Sequence, residues 1–136
     1  MPLGVPSRVR KQRGQSLLET AMMIVVIFTV VFWIFELGWV MYTYSVLADA
    51  ANEGVRYAVV HSGGDITGTK AKVATFAATS LHNVSAVSTN VTFPDGSSSP
   101  PNRVRVTVSY TYVPWLNQFI NTPTMHTYSE GRMIAP

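Results

Sequence analysis

The chain has 136 residues, ten of them Lys or Arg and seven Asp or Glu. Charged residues make up 12 % and apolar residues 47 %, against about a quarter charged in an ordinary soluble domain. The absence of cysteine excludes disulfide frameworks, thiolate metal sites and cysteine nucleophiles.

The basic residues are unevenly placed. Arg8, Arg10, Lys11 and Arg13 fall in the first fourteen positions, which hold no acid. Without these four, six basic residues face seven acids. The pI near 9.5 therefore reflects a topology signal and not a nucleic-acid surface.

An apolar run follows, from Leu17 to about Ala48. Glu19 stands at its start, Glu36 is the charge inside it, and nothing from Thr20 to Phe35 ionises. The run exceeds the ~7–15 apolar residues of a secretory signal and suffices for a bilayer, which needs about 20. The basic cluster before it places the N-terminus in the cytoplasm and the C-terminal part outside. Ala48-Asp49-Ala50 has the small-x-small form of a signal peptidase site, but the run before it is too long for that use.

Gly14-Gln15-Ser16-Leu17-Leu18-Glu19 supports another processing site. A glycine closes the basic leader, and a lone glutamate follows five residues later. A carboxylate at the centre of a membrane helix costs roughly 2.5–3.5 kcal/mol, and less near the edge, so Glu19 calls for a partner. This arrangement resembles the signal of type IV prepilins. The resemblance implies cleavage between Gly14 and Gln15 by a membrane prepilin peptidase. It also implies pairing of Glu19 with the freed amine of Gln15, in its own chain or a neighbouring subunit.

Beyond Glu36 the pattern becomes amphipathic. Leu37, Val40, Met41, Tyr44, Leu47, Ala48, Ala51, Val55, Ala58 and Val59 recur at spacings of three and four, with Asp49, Asn52, Glu53 and Arg56 opposite. Gly63-Gly64 supplies a stop. The pattern predicts one helix from about Ser16 to His61, roughly 70 Å long at 1.5 Å per residue. Glu36-Leu37-Gly38 and Asp49-Ala50-Ala51-Asn52-Glu53-Gly54-Val55-Arg56-Tyr57-Ala58 resemble the first helix of TadE-like pseudopilins of the tight-adherence (Flp) pilus systems. Thr20 departs from the Flp-type pattern, where an aromatic residue follows the glutamate. Glu36 has two readings: an interfacial carboxylate between the belt residues Trp33 and Trp39, or a buried pair with a neighbouring subunit.

In the C-terminal part, Thr69 to His82 reads as a short helix with Val73, Phe76, Ala77 and Leu81 as its apolar stripe, capped by Thr67 or Thr69. Val87, Val91 and Phe93 then alternate with polar residues. Pro94 to Asn102 is a turn or loop. Val104, Val106, Val108, Tyr110 and Tyr112 alternate with Arg103, Arg105, Thr107, Ser109 and Thr111, the cleanest strand of the chain. Pro114 to Ile120 is an apolar connector. A third strand is expected from Thr124 to Ile134, interrupted at Gly131. Val55, Ala58 and Val59 of the long helix are expected against Val104, Val106 and Val108.

No catalytic or metal constellation emerges. His61, His82 and His126 show no ligand spacing, and there is no nucleophile elbow or phosphate loop. Asn83-Val84-Ser85 and Asn90-Val91-Thr92 match the glycosylation sequon, a coincidence if the source is bacterial, as the resemblance implies.

The expected fold is α+β. It comprises a basic leader (1–14), a long helix (15–61, membrane part about 17–40) and an extracytoplasmic head (62–136) with a short helix and a three-stranded antiparallel sheet. The resemblance implies a pilin or pseudopilin subunit without enzymatic activity or cofactor, held in the bacterial inner membrane and then assembled into a filament. Its implied partners are the prepilin peptidase, other pilin subunits, the platform proteins and assembly ATPase, and the bilayer before assembly. Nucleic acid is not among them. The alternatives are an uncleaved single-pass protein with a periplasmic binding or scaffold head, and an exported enzyme released at Ala50.

Overall fold

The computed structural model describes residues 8–61, 64–115 and 121–134, with the side chains of residues 8–13 excepted. Its elements run in the order α1 (Arg8–Val60), α2 (Ile66–Ala78), a 3-10 turn (Val84–Ala86), β1 (Val87–Thr92), β2 (Arg103–Thr111) and β3 (Thr124–Arg132). The fold is α+β, as the patterning predicts. The chain divides into two compact units, residues 1–38 and 39–136.

In the first unit, α1 is helical from Arg8, eight residues before the expected start. The side chains of Arg8, Arg10, Lys11 and Arg13 lie outside the described residues. Residues 14 to 35 are all exposed.

The second unit is a layered head. β1, β2 and β3 form an antiparallel meander in the order β1-β2-β3, with β2 central. Val91 sits opposite Val106, and Val108 opposite Thr127. Successive strand residues face opposite sides, so Val104, Val106 and Val108 all point inward and are fully buried. They join Leu47, Ala50, Ala51, Val55 and Ala58 of α1 and Val73 and Ala77 of α2 in one core, as expected for Val55 and Ala58; Val59 packs at its margin.

The helix stripe differs from the predicted one. Leu37, Met41 and Tyr44 are exposed, while Thr43, Val46, Ala50 and Gly54 are buried. Thr43 tolerates burial because its hydroxyl donates to the Trp39 carbonyl at 2.9 Å, which satisfies the polar group. The remaining buried positions are mostly small because the layers approach closely. A Cβ on Gly54 would come within 2.5 Å of Val73 Cγ2, and one on Gly131 within 2.5 Å of Val55 Cγ1. β3 therefore passes through Gly131 without interruption and ends at Arg132, two residues short of the expected Ile134.

α2 also begins earlier than predicted. Its N-cap is Asp65, not Thr67 or Thr69, and the Asp65 carboxylate accepts from the Gly68 backbone N–H at 2.8 Å. The Tyr57 hydroxyl donates to the other carboxylate oxygen at 2.9 Å, tying the end of α1 to the start of α2. Gly64 lies in a turn; Gly63, and Leu116 to Ile120 of the apolar connector, lie outside the described residues.

Candidate processing and pairing site on the helix

Gly14 and Gln15 lie inside continuous helix, both exposed, with nothing within 4 Å of the position a Gly14 side chain would take. Glu19 follows Gln15 by four residues, so the two side chains share a face one turn apart. Glu19 continues into a shallow apolar groove with Met22, Met23, Val26 and Ile27. These are the i, i+3, i+4, i+7 and i+8 positions of one helical stripe.

Glu36 does not join them. Seventeen residues of helix separate it from Glu19, about 25 Å along the axis and about 100° around it. Glu36 is half-buried, unlike its fully exposed neighbours before it. Gly14, Gln15 and Glu19 thus form one local group, and Glu36 stands apart.

The segment between the two glutamates has the properties of a lipid-facing helix. Leu17 to Phe35 spans about 28 Å at 1.5 Å per residue, close to the ~30 Å hydrocarbon thickness of a bilayer. Ile24, Val25, Val26, Ile27, Val30 and Val31 are β-branched, which lowers helix propensity in water. In lipid the backbone has no partner but itself, and the helix becomes the favoured state. The hydroxyls follow the same rule: Thr20 donates to the Ser16 carbonyl at 2.9 Å and Thr29 to the Val25 carbonyl at 2.8 Å. These internal bonds were not foreseen, although a threonine four residues after any helical carbonyl is their signal. The helix Gly14–Val60 is long and apolar enough to cross a membrane, and its most apolar part is unburied.

Among the described residues the head shows no comparable reactive grouping. Among the described residues no cluster of three or more His, Asp or Glu is placed to hold a metal ion. His61 stacks on Tyr57 with ring centroids 4.0 Å apart, His126 meets Ser109 at 2.9 Å, and His82 lies 6.2 Å from the Trp39 ring. Several charged groups of the sheet's outer face are paired. Arg103 bridges Asp95 at 2.9 Å, Arg105 binds Glu130, and Arg105 lies over the Tyr128 ring at 5.1 Å. Hydrogen bonds from the Arg103 side chain, then from its backbone N–H, hold the Asp95 carboxyl down at about 2.

Residues 14–56 match the family model of the TadE-like proteins. The match opens on Gly14 and ends within α1, so the sheet and α2 lie outside it. Comparison with curated proteins and with solved structures gave no match. The TadE-like family is structural and pilus-related, not enzymatic. The match covers under half of the chain and makes residues 14–56 similar to the TadE-like proteins; the helix that holds them is long and apolar enough to cross a membrane.

Proposed function

We propose that this protein is a pilin or pseudopilin subunit of a Tad/Flp-type pilus, cut between Gly14 and Gln15 by a prepilin peptidase. The observation that carries the reading is the exposed, uncharged helix face from Thr20 to Phe35, preceded by Glu19 one turn from Gln15. Before assembly this face lies in the inner membrane, with the basic leader in the cytoplasm and the head outside.

The mechanism is an exchange of solvents. The helix leaves lipid without loss only if it enters a bundle of equally apolar helices. Cleavage creates an α-amine on Gln15, one turn from the Glu19 carboxylate. An amine–carboxylate pair lowers the cost of carrying Glu19 through an apolar environment, in one chain or between neighbours. Glu36 supplies a second polar position at the outer membrane edge, either as an interfacial carboxylate or as a subunit contact. The implied machinery is the prepilin peptidase, the platform proteins and the assembly ATPase.

Glu19→Ala tests the pairing role. The expected result is normal membrane insertion with impaired incorporation into filaments, measured as the sheared pilus fraction against the membrane fraction. Incorporation at the native level removes the role assigned to Glu19.

A further inference from the structure

The head carries a cavity of about 410 Å³ whose lining includes Trp39, His82, Asn83, Tyr110, Tyr112 and Trp115. At its floor Tyr112 is buried, and the Trp39 and His82 ring centroids lie 6.2 Å apart. Among the described residues its rim is open. Trp115 is 89 % exposed and Val113 beside it is 53 % exposed. Among the described residues no Asp, Glu, Lys or Arg lines the cavity. Its described polar lining is neutral or imidazole: Thr43, Ser80, His82 and Asn83, with the two tyrosines.

An indole left almost bare in water forgoes the gain that burying a large apolar side chain brings. Trp and Tyr combine an apolar body with a hydrogen-bonding tip, the chemistry of a membrane–water interface. Trp39 fixes the position. It follows Glu36 by three residues in unbroken helix, about 4.5 Å of rise, and so stands at the end of the bilayer-length apolar run. Trp115 shares a cavity with it.

We propose that the Trp39–Trp115 cavity is a docking surface for the phospholipid interface, with the Val113 and Trp115 side chains lying in the headgroup and glycerol layer before assembly. The proposal rests on the membrane placement of Leu17 to Phe35 given above. The aromatic rim holds the head at the bilayer surface, and assembly must withdraw it along with the helix.

The test uses the full-length chain in phospholipid vesicles. The variant W33F/W39F leaves Trp115 as the single tryptophan, and W39F/W115F leaves Trp33. Lipids brominated near the glycerol or deep in the acyl chain are the quenchers from inside, and iodide is the quencher from water. The expected result is quenching of Trp115 by the shallow bromines, a blue-shifted emission and shielding from iodide, with Trp33 quenched by the deep bromines. Trp33 quenched from the bilayer while Trp115 is quenched only by iodide overturns the docking surface and leaves the membrane reading intact. Neither tryptophan quenched by brominated lipid overturns both. Because W39F alters the cavity, the difference between wild type and W115F gives the Trp115 signal with Trp39 in place, and the same two outcomes decide.

Discussion

Gly54 of α1 lies directly against Val73 of α2: a Cβ on Gly54 would stand 2.5 Å from Val73 Cγ2 and 3.2 Å from Val106 Cγ1. Two helices and the central strand meet at this point, and the missing side chain sets their separation. Alanine would gain about 0.8–1 kcal/mol of helix propensity over glycine. Overpacking a fitted core costs typically 1–3 kcal/mol, and a valine methyl fixed between two layers has little room to move. Gly54→Ala is therefore expected to lower stability by about 1 kcal/mol net, and Gly54→Leu by far more. Adding Val73→Ala to Gly54→Ala should cost less than the two single effects combined. Denaturant titration of the four proteins in detergent checks both statements.

The face of α1 turned toward the sheet can be tested by contrast. Leu47 is fully buried and Met41 is 73 % exposed, although simple apolar periodicity places both on one stripe. Leu47→Ala should cost about 2–5 kcal/mol through lost burial and a residual cavity. Met41→Ala should stay within about 0.5 kcal/mol. Equal effects would mean that the helix is turned differently.

Acid sensitivity should trace in part to Asp95. Its carboxyl is held at about 2 in the folded protein, against about 3.9 in an unfolded chain. A lowered folded value means that the contribution is fully present above about pH 4 and is lost as pH falls toward about 2. Asp95→Asn should lower stability at neutral pH and flatten the decline between those limits. Thermal melts at stepped pH give the comparison.

The strongest signals in the sequence are those with long unbroken patterns. β2 is legible because Val104, Val106 and Val108 alternate without exception, and the burial follows. The apolar run is legible because sixteen consecutive residues from Thr20 to Phe35 carry no charge. The packed face of α1 is harder to read. Close approach selects Ala50, Ala51 and Gly54, whose weak hydropathy hides the true stripe, while Met41 and Tyr44 imitate one. Asp65 is missed as a cap because two threonines after it compete for the assignment. Buried Thr127 and Met133 escape because β3 alternates poorly and its inward positions include Ser129 and Gly131. The roles proposed for Gly14, Gln15 and Glu19 come from the prepilin resemblance; spacing adds only that Gln15 and Glu19 lie one helical turn apart.

The most direct test of the central claim is the intact mass of the membrane-extracted protein, from cells with and without the prepilin peptidase. Mass suits the problem because an N-terminal Gln15 can cyclise and block sequencing by degradation. The account predicts a chain beginning at Gln15 only where the peptidase is present. A chain that keeps Arg8 to Arg13 in both strains would contradict it and favour a permanently anchored protein, and one beginning at Ala51 would overturn the membrane helix as well.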